Sequence, residues 1–83
     1  MTVPVSGAVV VGYDASEPSK IAVDWAASDA DRRGVDLVVV HAARRRKGRD
    51  DTGEGAGDAI AEEGAERPRT RVPGLTVHAV ARS

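Results

Sequence analysis

The sequence predicts an α/β fold with a three-stranded parallel sheet in the order β-α-β-α-β. Three apolar runs carry this prediction, at 8–11, 35–40 and 75–80. The first two runs are nearly continuous valine, which is typical of parallel strands that are covered on both faces. In the third run polar residues alternate with apolar ones, which indicates a strand at the edge of the sheet.

A capped helix is predicted between the first two strands. Ser16 is suited to the N-cap because its hydroxyl can accept a hydrogen bond from a free amide one turn later. Gly34 is suited to the left-handed position that ends a helix, and basic residues precede it. Apolar side chains recur at helical spacing, and Trp25 is expected to fill the interface between helix and sheet. The residues of this expected stripe are Ile21, Ala22, Trp25, Ala26 and Ala30.

The connection between the second and third strands is predicted to hold a weaker helix, from Asp58 to Arg67. Its only large aliphatic residue is Ile60, and Gly64 interrupts it. Residues 44–57 are rich in charge and glycine and are expected to form a flexible loop within a single domain spanning 1–83. The basic run at 44–47 has no interleaved aromatic residues, so we interpret it as solvated and not as a nucleic-acid site.

Size and composition limit the classes of function. The chain has 83 residues, and 17 of them are valine, isoleucine or leucine with no phenylalanine, so its core is small. The net charge of −1 gives no field that attracts nucleic acid. No apolar run approaches the length of a membrane span, and there is no cysteine. These features favour a cytoplasmic protein that binds neither nucleic acid nor a membrane.

The segment Val9-Val10-Val11-Gly12-Tyr13-Asp14-Ala15-Ser16-Glu17-Pro18-Ser19 resembles the start of universal stress proteins. In that family a valine-rich strand runs into G-x-D-G-S, and a helix follows directly. The similarity extends through the second strand and resumes at 73–80. It implies a doubly wound fold of the adenine-nucleotide alpha hydrolase type, of which this chain would hold the first half. Ala15 stands where the family usually has glycine.

The resemblance also implies a site for an adenine nucleotide. The positions that would meet the adenosine are Gly12, Tyr13, Asp14 and Ala42. The family holds the triphosphate mainly with a G-x-x-G loop and a later Ser or Thr after the fourth strand, a region that would lie beyond Ser83. We therefore expect no required cofactor and at most residual binding of ATP or AMP.

Several alternatives stay open at the level of sequence. Asp14 either marks a ligand site or only joins Ser16 in capping the helix. No nucleophile with an acid–base partner is recognisable, so an enzyme is not expected. His41 and His78 are expected to be neighbours if their strands pair, but two lone histidines do not predict a metal site. Besides a stress-response role, the chain is either an interaction module that pairs through the exposed edge of its first strand, or a truncated remnant without independent function.

Overall fold

Three strands of the computed structural model run parallel and are joined by two helices, as predicted. The structure describes residues 2–5, 7–42 and 56–82. In chain order the elements are β1 (Thr2–Val5), β2 (Ala8–Gly12), α1 (Glu17–Arg33), β3 (Asp36–Ala42), α2 (Ala56–Arg71) and β4 (Val77–Arg82). The strands β2, β3 and β4 are mutually parallel neighbours, which confirms the β-α-β-α-β arrangement.

The strand β1 was not predicted, and it changes one expectation about partners. It runs antiparallel to β2, with Val3 opposite Val10 and Val5 opposite Ala8. The turn between them uses Gly7 at a φ of 84°, a backbone conformation that glycine adopts at low cost. The edge of β2, which was expected to be exposed and open to a partner strand, is therefore occupied by the chain itself. That part of the expectation was wrong.

The helix α1 has the predicted ends, and of the predicted stripe Ala26 and Ala30 are buried, whereas its two large residues are not. The Ser16 side chain accepts from the amide of Ser19, and Gly34 ends the helix at a φ of 71°. Trp25 is 73% exposed and Ile21 is 56% exposed, so the expectation that Trp25 fills the helix–sheet interface was wrong. The helix instead turns a row of small residues to the sheet, which lets it pack closely. That row is Val23, Ala26, Ala27 and Ala30.

The helix α2 is longer than predicted and runs from Ala56 to Arg71. Its buried positions follow the spacing i, i+3, i+4 and i+7, at Ala61, Gly64, Ala65 and Pro68. Gly64 therefore belongs to the packing face and does not interrupt the helix. A flexible loop was expected at 44–57. Positions 44–55 of this segment, which include the basic run at 44–47, lie outside the described residues. Positions 56 and 57 belong to α2.

Both helices pack on one face of the sheet, which we call the inner face. Val9, Val11, Leu37 and Val39 point to this face and are almost completely buried with residues of α1 and α2. The alternate residues of the same strands form the outer face, where the side chains are only half-buried. Among the described residues no helix covers the outer face, so the expectation of cover on both faces was wrong.

No helix in the described part of the chain is both long enough and apolar enough to span a membrane.

Candidate functional site

The expected site lies where β2 and β3 end, at the carboxyl edge of the parallel sheet. Tyr13 continues the ladder beyond β2, since its amide donates to the carbonyl oxygen of Val40 over 2.8 Å. The next residue of β3 also contacts Tyr13, since Nδ1 of His41 lies 3.0 Å from the carbonyl oxygen of Tyr13. The backbone that leads into Asp14 is therefore fixed by β3 before α1 begins.

The side chain of Tyr13 faces the helices and not the edge. Tyr13 is only 5% exposed, and its hydroxyl donates to Oε2 of Glu63 over 2.7 Å. The ring lies against the backbone of Gly64, where an added Cβ would stand 2.5 Å from Cδ2 of the ring. Burial and the bond to Glu63 raise the pKa of Tyr13 to about 12. Tyr13 thus secures α2 to the sheet, and its side chain lines the cleft between the helices and not the carboxyl edge.

Asp14 combines a capping role with exposure at the edge. Its Oδ1 accepts from the backbone amide of Ser16 over 3.0 Å and also from the Ser16 hydroxyl. These bonds, with a further contribution from Ser19, lower the pKa of Asp14 from 3.8 to about 2. The carboxylate is consequently ionised at neutral pH and held in one position. Asp14 is exposed, and both hydrogen bonds from Ser16 end on Oδ1, which leaves Oδ2 to other donors.

The turn between Asp14 and Ser16 keeps a conformation that normally calls for glycine. Ala15 has a φ of 69°, in the left-handed region where an L-residue with a Cβ is strained. The network around it holds this geometry, because the amide of Asp14 donates to Oγ of Ser19 and that hydroxyl donates to the carbonyl of Ser16. Ala15 therefore occupies a turn conformation that glycine would adopt at a lower energetic cost.

Gly12 and Ala42, the other two predicted site residues, lie at the ends of β2 and β3. Both are exposed, and an added Cβ at Gly12 would meet nothing within 4 Å. Gly12 is paired with Val40 in the parallel register, so Ala42 lies two residues beyond that pair. The structure thus brings Gly12, Asp14 and Ala42 to one open edge, and separates the Tyr13 side chain from them.

A cleft of about 170 Å³ between α1 and α2 was not predicted. Its lining includes two cations, Lys20 and Arg67. Lys20 pairs with Glu17 over 3.3 Å, and Arg67 pairs with Asp24 over 3.0 Å. Because both cations already have carboxylate partners, the cleft offers little net attraction for an anion such as phosphate. The spacing of Glu17 and Lys20 along α1 was the only sequence signal for this arrangement.

The two histidines lie apart, so the expectation that they are neighbours was wrong. In the β3–β4 register His78 is opposite Val38 and His41 is opposite Ala81, three positions further along. His78 instead pairs with Asp36, with 2.9 Å between Nε2 and Oδ2. In the ranges 2–5, 7–42 and 56–82 there is no cluster of three acidic or histidine side chains that could hold a metal ion.

The comparison with protein families decides the ancestry. A model of the universal stress protein family matches residues 7–81, which include both helices, β2, β3 and all of β4 except its last residue. The chain belongs to the universal stress protein family. This confirms the resemblance first seen in the Val9–Ser19 segment and its continuation at 73–80.

A solved structure supports the same fold. It is a crystal structure of a protein from the universal stress protein family from Burkholderia pseudomallei, and it superposes with a TM-score of 0.63 at 24% sequence identity. The match covers 95% of the present chain and 65% of that chain, so this protein spans less than two thirds of the relative's length. No curated protein matches the chain.

Proposed function

We propose that this member of the universal stress protein family has a stress-response role and binds the adenosine part of an adenine nucleotide weakly, without catalysis. The observation that carries the proposal is the Asp14 carboxylate. It is ionised, exposed and fixed by Ser16 at the carboxyl edge of two parallel strands. Ligands of open α/β sheets bind at this edge.

The chemistry of Asp14 suits a ribose. The ribose 2′- and 3′-hydroxyls are donors, and a hydrogen bond from a hydroxyl to a carboxylate is stronger than one between neutral groups. Because Oδ1 is occupied by Ser16, the open Oδ2 is the atom that would accept. Gly12 and Ala42 carry little or no side chain, so a flat base can approach the ends of β2 and β3 closely.

The phosphates contribute little in this proposal. The two cations that line the cleft, Lys20 on α1 and Arg67 on α2, are already paired with carboxylates. Adenosine, AMP and ATP should therefore bind with similar affinities. The Ser16 hydroxyl is committed to Asp14 and to the helix cap, which supports binding and not nucleophilic catalysis.

An NMR titration with AMP tests the proposal residue by residue. Amide signals of Gly12, Asp14 and Ala42 should shift together as millimolar AMP is added, while signals along α2 stay in place. Asp14→Asn keeps an oxygen that accepts from Ser16 but removes the charge, and we expect it to weaken binding about tenfold. Asp31→Asn, which removes an equally exposed charge at the far end of α1, is the matched control.

The results that count against this function are equally specific. If no amide at the carboxyl edge shifts at millimolar AMP, adenosine binding is excluded. If Asp14→Asn and Asp31→Asn weaken binding by the same factor, the effect is general electrostatics and the role assigned to Asp14 is wrong.

A further inference from the structure

His41 lies at the carboxyl edge with its ring against the backbone that follows β2. Its Nδ1 is 3.0 Å from the carbonyl oxygen of Tyr13. A carbonyl oxygen only accepts hydrogen bonds, so Nδ1 must carry the hydrogen. This bond sets the tautomer: in the neutral ring the proton is on Nδ1 and the lone pair is on Nε2.

The side chain of His41 takes the place of a backbone donor. The amide of Tyr13 donates to the carbonyl of Val40 over 2.8 Å, which continues the parallel register of β2 and β3. In a regular parallel ladder the next donor, to the Tyr13 carbonyl, would be the amide of Ala42. That pair does not occur among the backbone hydrogen bonds of the described residues, and the imidazole donates instead. The last contact of this ladder therefore depends on the side chain at position 41.

The bonded carbonyl belongs to the peptide group that joins Tyr13 to Asp14. This group is planar, and its N–H donates to Oγ of Ser19 over 3.2 Å. The plane is thus held from two sides, by β3 through His41 and by α1 through Ser19. Its orientation determines φ of Asp14, and with it the direction in which the carboxylate leaves the backbone.

The turn after Asp14 needs such support. Ala15 has a φ of 69°, and a strained conformation persists only where the surrounding structure over-determines it. The bonds on the side of α1, from Ser16 to Oδ1 of Asp14 and from Asp14 to Ser19, are exposed. The bond from His41 is partly buried, so water competes less for its donor and acceptor.

We propose that His41 is a positioning residue for the Asp14 carboxylate: its Nδ1–H holds the carbonyl of Tyr13 and thereby fixes the direction of Asp14 at the carboxyl edge. His41 acts through the backbone in this role and needs no contact with a ligand. The loss of one hydrogen bond of this kind should weaken binding at Asp14 about tenfold. The effect on nucleotide binding rests on the proposed function, whereas the effect on the geometry of Asp14 does not.

The tautomer in the intact chain is the first test. Ring 15N chemical shifts of His41, recorded at alkaline pH where imidazole is neutral, should place the proton on Nδ1. His78 is the control in the same sample, because its Nε2 lies 2.9 Å from Oδ2 of Asp36 and should carry the proton on that nitrogen. If the proton of His41 is on Nε2, the ring cannot donate to Tyr13 and the proposal is wrong.

Paired substitutions separate the donor from the bulk of the ring. His41→Asn places an amide N–H at the same number of bonds from the backbone as Nδ1, whereas His41→Leu fills similar space without a donor. In His41→Leu the pKa of Asp14 should rise from about 2 toward 3.8, because the bonds that lower it loosen. The amide signals of Asp14 and Ser16 should shift with it. In His41→Asn the pKa and the amide signals should stay close to those of the original chain.

The outcomes against the proposal are distinct. Equal effects of His41→Asn and His41→Leu would show that the ring contributes by packing and would overturn the role of the donor. An unchanged pKa of Asp14 in His41→Leu would overturn the positioning role itself. If His41→Leu does not fold, His41→Gln replaces it, since its amide lies one bond further from the backbone and should fail to restore the contact.

A titration with AMP connects this geometry to binding. His41→Leu should raise the dissociation constant about tenfold, and His41→Asn should restore it to within about threefold. His78→Leu, a like change near the amino end of the sheet, should leave it unchanged. If the original chain does not bind AMP, the proposed function fails, while the tautomer and the pKa of Asp14 still decide the role of His41. If AMP binds equally to the original chain and to His41→Leu, the positioning role is overturned and the proposed function stands.

Discussion

The contact between Gly64 and Tyr13 gives the sharpest prediction about stability. An added Cβ at Gly64 would lie 2.5 Å from Cδ2, 2.6 Å from Cγ and 3.0 Å from Cε2 of the ring. Cγ is the fixed base of a buried ring, and the hydroxyl end is held by Glu63, so the ring cannot swing away freely. Either the ring or α2 must shift to admit the methyl group.

The magnitude is a difference between two opposing effects. Alanine in a helix interior is favoured over glycine by about 1 kcal/mol. Overpacking a well-filled core costs typically about 1–3 kcal/mol, and a separation below 3.0 Å lies at the severe end of that range. We expect Gly64→Ala to lower the free energy of unfolding by about 1–2 kcal/mol. For a chain of this size that corresponds to a fall in Tm of roughly 4–16 °C.

Urea denaturation followed by far-UV circular dichroism measures this effect, with Gly74→Ala as the control. Gly74 has an ordinary φ, and an added Cβ there meets nothing within 4 Å. Gly74→Ala should therefore be neutral or stabilising by about 0.4–1 kcal/mol, through the entropy of the unfolded chain. If Gly64→Ala also stabilises the protein, the close packing of α2 on Tyr13 is refuted.

Three further predictions follow from the site. Removing the hydroxyl with Tyr13→Phe should lower the free energy of unfolding by about 0.5–1.5 kcal/mol. Because the pKa of Tyr13 is raised from 10 to about 12, the contribution of the hydroxyl to stability is complete below pH 10 and is lost as pH rises to 12. Tyrosinate absorbance of this single tyrosine measures the pKa, and Tyr13→Phe should lack the alkaline loss of stability. The pKa of Asp14 is lowered from 3.8 to about 2, so the contribution of its carboxylate to stability is complete above pH 3.8 and is lost as pH falls to 2. The urea midpoint of Asp14→Asn should show no such loss over that pH range. An NMR-measured carboxyl pKa near 4 would contradict the capping network. Ala15 and Gly34 share nearly the same φ, 69° and 71°. Ala15→Gly should therefore stabilise the protein by about 0.5–1 kcal/mol, while Gly34→Ala should destabilise it by about 1 kcal/mol. If both substitutions shift the Tm in the same direction, backbone strain does not explain the effects.

Local signals in the sequence predicted the backbone of the first βαβ unit. The Ser16 cap and the Gly34 end depend on hydrogen bonds and a φ value that single residues determine, and so they could be identified directly. The rotation of α1 about its axis could not. Alanines lie on more than one side of α1, so the sequence does not decide which side is buried. The side with the smaller residues packs against the sheet, and Trp25 is left in solvent.

The remaining errors have a related origin. Gly64 looked like an interruption because its role depends on Tyr13, a residue 51 positions earlier in the chain. The strand β1 is short and gains its structure from pairing with β2. In the site, the sequence placed Gly12, Asp14 and Ala42 at one edge because carboxyl ends of parallel strands meet there. The inward direction of the Tyr13 side chain required the position of α2.

The most direct test of the central claim, that Asp14 marks a site for adenosine and not for phosphates, is a parallel NMR titration with adenosine, AMP and ATP. We predict that all three shift the amides of Gly12, Asp14 and Ala42, with dissociation constants that agree within about tenfold. Binding of ATP a hundredfold or more tighter than adenosine, or shifts confined to residues away from this edge, would contradict the claim.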